Sequence, residues 1–264
     1  MQKSDQPILE TTQLMTSLSA RRSRRTLLKG AAVGAVGATG LGALGAGLLL
    51  RSGAPAHAAA ASAAVCSKVT PIHDIFTIAR TAERLAVTFY SNGIAHASDL
   101  GLSGSFLEDI HAALIEEQIH EFFFRDNGGG VLASTFSFPQ GPDTFTDLNV
   151  FIATQQTLEG VFDSAFLSAI REFCQQGRPD LAQIAGQIAT IEAEHRALGR
   201  QIGNLIPADN WAFSPVLIPY VGAAPAIVAK AGFLSPRKGN SYTYAPVDTA
   251  SSSILYRKPF EASC

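Results

Sequence analysis

The sequence predicts an all-α fold: a four-helix bundle of two antiparallel hairpins joined by a long crossover, with an irregular C-terminal tail. Three observations carry that prediction. Apolar residues recur at three- and four-residue steps over four long segments between residues 70 and 206, which is the spacing of a helix with one buried face. Glycine or proline marks the boundary of each segment, where the chain must leave the helix. The links within the first and second pairs of segments are short, whereas Gly128 to Asp147 between the pairs is 20 residues long.

Thr70-Pro71 opens the first helix, as an N-cap residue followed by proline at the position where its missing N–H costs nothing, and the periodicity runs to about Ile94. A link with Gly101 and Gly104 leads to a second helix from about Ser105 to Asn127, stopped by Gly128-Gly129-Gly130. The third helix runs from about Leu148 to Gln176 and ends at Gly177; Pro179 then opens the fourth, which continues to about Leu205 before Pro207. A loop as long as Gly128 to Asp147 is unusual inside a domain. It has a geometric use, because a helix of roughly 23 residues is about 35 Å long and extended chain of that length can return along it. The tail from Pro207 is rich in Pro, Gly and Ser, carries one short helical candidate at Pro225 to Gly232, and is expected to pack over the bundle.

Composition narrows the function classes. The chain has 264 residues, 47% hydrophobic and 16% charged, which excludes a disordered or collagen-like protein. The net charge of -2 hides an asymmetry: residues 1–58 carry seven Lys/Arg and two acids, leaving 13 basic and 20 acidic groups in the rest. A surface near -7 repels phosphate backbones and argues against nucleic-acid binding. Cys66, Cys174 and Cys264 are too few and too scattered for a disulfide scaffold or a thiolate metal cage.

The N-terminus reads as an export signal. Ser23-Arg24-Arg25-Thr26-Leu27-Leu28-Lys29 precedes an uncharged stretch from Gly30 to Leu50, then Arg51 and small-x-small sites such as Ala56-His57-Ala58. This segment resembles a twin-arginine (Tat) signal, with Leu27 where phenylalanine is commonest. The resemblance implies passage of a folded protein through the Tat translocation machinery to the periplasm, cell envelope or exterior, often with a metal already bound. The competing reading is a retained membrane anchor, weakened by seven glycines among the 21 residues. Gly40-Leu41-Gly42-Ala43-Leu44-Gly45 fits G-x-G-x-x-G, but no strand precedes it, so it is not a dinucleotide site. The expected organisation is a signal at 1–58, a spacer at 59–69, the bundle at 70–206 and the tail at 207–264.

The core stripes carry an anomaly. They read Phe76, Ala79, Glu83, Ala86, Tyr90 on the first helix and Ile110, Ala113, Glu117, His120, Phe124 on the second. The third gives Ile152, Gln155, Glu159, Phe162, Phe166, and the fourth gives Leu181, Ala185, Ile188, Glu192, His195, Gly199, Ile202. A glutamate interrupts every stripe, and no lysine or arginine lies on any of them. Four carboxylates in a bundle core cost several kcal/mol each unless a positive charge compensates them. Two divalent cations would do so, and His120 and His195 sit one turn after Glu117 and Glu192, facing the same way. The pattern is also a repeat: Glu83 to Glu117 spans 34 residues and Glu159 to Glu192 spans 33.

Other polar residues have plainer readings. Glu116, Glu121 and Glu194 read as solvated side chains, although a ligand role could slip to Glu116 or Glu194. Tyr90, two turns after Glu83, reads either as a redox-active or hydrogen-bonding neighbour of the centre or as a core tyrosine. Gln155 reads as a packed polar residue that could reach a ligand, and His73, His96 and His111 as surface histidines. No Ser/His/Asp nucleophile arrangement or phosphate loop stands out.

With one Glu and one Glu-x-x-His per hairpin, residues Thr70 to Leu205 resemble the ferritin-like di-iron/di-manganese carboxylate superfamily, and more narrowly its exported bacterial members akin to desiccation-related proteins. The resemblance implies terminal ligands Glu83 and Glu159, bridges Glu117 and Glu192, and imidazole ligands His120 and His195. It implies two Fe ions, or two Mn ions as in manganese catalase, acting on O₂ or peroxide. Storage in a cage is disfavoured by the long tail and by the lack of a recognisable cage-forming segment. The reading from another class is a structural or stress-protective envelope protein without catalysis.

Overall fold

Each of the four periodic segments folds as the helix its spacing predicts. The computed structural model describes residues 68–259; the segment read as an export signal, most of the expected spacer, Cys66 and Cys264 lie outside them. The elements are α1 (Ile72–Ala95), α2 (Ala97–Leu100), α3 (Gly104–Asp126), β1 (Thr135–Phe136), α4 (Leu148–Gln175), α5 (Pro179–Ile202), α6 (Ala224–Lys230) and β2 (Tyr242–Thr243). The bundle is α1, α3, α4 and α5. No helix among the described residues is long and apolar enough to cross a membrane.

Ring contacts give the directions. Phe76 near the start of α1 packs on Phe124 near the end of α3 and on Phe173 near the end of α4, at centroid distances of 5.7 and 6.1 Å. At the other end Gly93 of α1 lies against Phe151 of α4, so closely that a Cβ there would sit 2.5 Å from the ring. Both α3 and α4 therefore run antiparallel to α1, and α5 returns along α4 after a tight turn at Gly177 (φ 70°). The crossover must then travel the length of the bundle, as its 20 residues allow.

That crossover is not bare loop. It contains β1 and a 3₁₀ turn over Gly141–Phe145, and β1 pairs antiparallel with β2 from the tail, Thr135 opposite Thr243 and Phe136 opposite Tyr242. Two-residue strands are too short to show a period of two in sequence. The short helix α2 and the 3₁₀ turn Val221–Ala223 were likewise not predicted.

The helix starts also differ in detail. Thr70 does not cap α1; its backbone N–H donates to Glu172 and its hydroxyl accepts from Gly222 N at 2.8 Å, so it ties the helix start to the tail. The side-chain cap that does form is Asp147 on α4, which accepts from Asn149 N at 2.8 Å and Val150 N at 3.3 Å and satisfies two otherwise open donors.

The tail packs over the bundle through hydrogen bonds to buried side chains. Ser164 Oγ accepts from Leu217 N and Ile218 N, and the Glu172 carboxylate accepts from Val221 N and Thr70 N. Asn240 bonds both the N–H and the C=O of Phe138, at 2.9 and 2.8 Å. Gln118 on α3 accepts from Val247 N and exchanges bonds with Tyr244.

Apolar packing divides into two clusters along the bundle. One gathers Phe89, Phe138, Phe145 and Phe151 near the α1–α3 turn; the other gathers Phe76, Phe124, Phe166 and Phe173 near the α4–α5 turn. Each buried phenylalanine contributes about 1.5–3 kcal/mol. On α1, α3 and α5 the interrupting glutamate falls between the clusters in sequence, and on α4 Glu159 lies between Leu158 and Val161, where the first cluster nears the second.

Candidate metal centre

Glu83 from α1, Glu117 and His120 from α3, Glu159 from α4, and Glu192 and His195 from α5 meet in that middle layer. Five of the six are buried, and the His120 side chain alone keeps some exposure, 13%. Their potential ligand atoms form two groups, each with all atoms within 4.8 Å of one another: Glu83, Glu117, His120 and Glu192, and Glu117, Glu159, Glu192 and His195. Glu117 and Glu192 belong to both. All six residues predicted from the stripes are brought together.

Among the described residues, nine buried atoms of these six side chains have no hydrogen-bond partner: both oxygens of Glu83, Glu117 and Glu192, Oε2 of Glu159, and Nδ1 of both histidines. Contacts among them are close without the alignment of a hydrogen bond, as with His195 Nδ1 at 2.9 Å from Glu117 Oε1. Buried polar atoms are almost always paired, and an isolated buried carboxylate is costly. A set of lone pairs aimed at one another fits cations placed among them. Hard oxygens with two imidazole nitrogens and no thiolate suit Fe or Mn.

Electrostatics point the same way. Burial first, then the Glu117 carboxylate and its neighbours, push Glu83 and Glu192 well above the usual carboxylate range. Burial pushes Glu159 up to about 7, although the His195 charge opposes it. Burial also opposes the charge on Glu117, yet the closeness of Glu83, His120 and His195 holds it below the usual range. His195 is raised despite burial, through Glu116 and Glu117. Without cations Glu83, Glu159, Glu192 and His195 therefore hold extra protons, as carboxylates crowded in low dielectric and an imidazole set among them must.

The surroundings orient the set. Tyr90 Oη donates to Glu159 Oε1, and burial with the nearby carboxylates keeps that phenol protonated, with its pKa well above the usual value. Gln155 does not reach a ligand side chain; its Nε2 donates to the His195 backbone carbonyl at 2.6 Å and to Tyr90 Oη at 3.2 Å. Gly199 on α5 makes room for it, since a Cβ there would fall 1.9 Å from Gln155 Oε1.

Two glutamates predicted to be solvated are not. Glu116 Oε2 lies 2.8 Å from His195 Nε2, the ring nitrogen turned away from the other ligands. Glu121 is buried and takes Arg80 Nε and Arg84 Nε, each at 2.9 Å. The signals were an acid beside Glu117 and two arginines four apart on α1, but sequence alone does not say which helix faces them. Glu172, fully buried under the tail, carries no signal in the sequence. Glu194, His73 and His111 are exposed and His96 half-exposed, all apart from the centre. Cys174 is an exposed free thiol.

No curated protein and no solved structure matches the chain. The model of a ferritin-like domain matches residues 73–204, from the first turn of α1 to just past the end of α5, which is half of the sequence and includes every residue of the centre. The chain therefore belongs to the ferritin-like domain family.

Proposed function

We propose that this is an exported ferritin-like protein that holds a dinuclear metal centre, two iron ions with manganese as the competing metal, and acts as an oxidase or handles O₂ or peroxide. The observation that carries it is the set of nine unpartnered buried atoms, drawn from four helices and facing one another. Glu83 and His120 would serve one ion, Glu159 and His195 the other, and Glu117 and Glu192, present in both groups, would span the two. Bound ions of this kind supply a redox couple for small oxygen species.

The chain's own residues do the rest. Glu159 is held in place by the Tyr90 hydroxyl, which keeps its proton on Oη beside the centre. Phe89 and Phe151 on one side and Phe124 and Phe166 on the other exclude water along the bundle axis. The partly exposed His120 edge is the side from which a small substrate would approach. Each histidine presents Nδ1 to the carboxylates, which requires the ring proton on Nε2 when a cation is bound. The twin-arginine segment supports export of the protein after it has folded.

Elemental analysis of protein folded with Fe(II) or Mn(II) should return about two ions per chain, the number this ligand pattern holds. Replacing Glu117 and Glu192 together with alanine should abolish that loading. A count near zero in the unaltered protein overturns the proposal and leaves the bundle structural. Fe(II) oxidation and H₂O₂ disproportionation assays then separate the two activities. Export is tested by Arg24→Lys with Arg25→Lys, which should strand the precursor in the cytoplasm; normal secretion of that variant refutes it.

A further inference from the structure

We infer that Glu116 is a positioning residue that makes the two halves of the centre unequal, so that the half built on His195 fills first and the half built on His120 is the exchangeable one. The inference rests on the metal-binding reading above.

The asymmetry begins in the repeat. Glu117-x-x-His120 on α3 corresponds to Glu192-x-x-His195 on α5, so the residue before each glutamate occupies an equivalent place. On α3 that residue is Glu116, and it bonds His195 Nε2 across the bundle. On α5 it is Ile191, whose side chain offers no acceptor to His120. A carboxylate on the outer ring nitrogen fixes the tautomer that leaves Nδ1 free, locks the ring plane and makes Nδ1 a stronger donor.

The remaining contacts follow the same division. On the His195 side Tyr90 holds Glu159, and Gln155 holds the backbone carbonyl of His195. On the His120 side neither oxygen of Glu83 is bonded, and the His120 ring is the more exposed of the two. One half is thus organised before any ion arrives, whereas the other must order Glu83 and His120 as it binds, which costs side-chain entropy.

The test is a titration of chelator-stripped protein with Mn(II), reading the free ion by its electron paramagnetic resonance signal. Two unequal steps are expected. Glu116→Gln, which keeps an oxygen acceptor but removes its charge, should weaken the first step about 10–100-fold and leave the second within a few fold. Glu116→Asp should recover part of the loss. Two equal steps in the unaltered protein, or an unchanged first step in Glu116→Gln, overturn the inference while leaving the dinuclear reading intact. Loss of both steps together with reduced thermal stability of the stripped variant assigns Glu116 to folding instead and also overturns it. No uptake by the unaltered protein removes the dinuclear reading and this inference with it.

Discussion

Stripping the centre of cations should make the protein less stable as pH rises from 5 to 8. Glu159 shows the size of the effect. Burial moves it from an ordinary 4.5 to about 7, and each pH unit of displacement is worth about 1.4 kcal/mol. Between those two values the folded chain keeps a proton that the unfolded chain has released, so unfolding becomes easier with every unit of pH. The contribution of Glu159 is complete below 4.5 and is lost as pH rises through about 7, a change of about 3 kcal/mol. Glu83 and Glu192, raised by the same burial, act with the same sign, and so does His195, whose proton is held by Glu116 and Glu117. Glu117 acts in the opposite sense, but its stabilisation is already present above the ordinary carboxylate range and is lost only in acid. For a domain of this size 3 kcal/mol corresponds to a fall in Tm of about 6–12 °C. Differential scanning calorimetry of the chelator-treated protein at pH 5, 6, 7 and 8 measures it, and Glu159→Gln, which cannot ionise, should flatten the slope. A Tm that stays level or climbs from pH 5 to pH 8 in the stripped protein would show that the carboxylates are not crowded in a dry layer.

Three further outcomes follow from contacts away from the ligands. Glu121→Ala should cost about 3–5 kcal/mol in urea unfolding, because Arg80 and Arg84 lose their shared buried partner; the exposed Glu194→Ala should stay within about 0.5 kcal/mol. Gly129→Ala should lower stability by about 1–3 kcal/mol, since its Cβ would stand 2.8 Å from the Phe76 carbonyl oxygen and 2.9 Å from that of Phe124, and backbone must move. Glu172→Ala should cost about 1–3 kcal/mol by leaving the Val221 and Thr70 N–H groups without an acceptor, and faster amide exchange at those two residues should report where the tail has come loose.

The bundle was legible because each helix is long enough for its period to repeat and because glycine or proline stands at its ends. The centre was legible for a related reason: a glutamate on an apolar stripe conflicts with its surroundings, and four such conflicts at matched spacing have few physical resolutions. Glu116, Glu121 and Glu172 lie beside the stripes, where an acid is ordinary. Their importance comes from what another helix or the tail brings to them, His195 from α5, Arg80 and Arg84 from α1, and Val221 from 49 residues away. Periodicity describes one helix at a time and carries no record of such pairings. The tail contacts were hidden more deeply still, since most are made by backbone groups, which every residue possesses.

The pairing of β1 with β2 joins residues 108 apart in the chain, Thr135 and Thr243, and Asn240 clasps Phe138 beside it. During synthesis the four bundle helices leave the ribosome well before β2 does, and they can collapse on one another by contacts that are mostly local. The crossover cannot be finished then; its strand edge and the rings of Phe136 and Phe138 wait for the tail. Contacts between distant residues form late and slowly, so the growing chain passes through a stage with an assembled bundle and an open, sticky flank, the kind of surface that chaperones bind and that aggregates grow from. A chain broken off before residue 240 would stay at that stage.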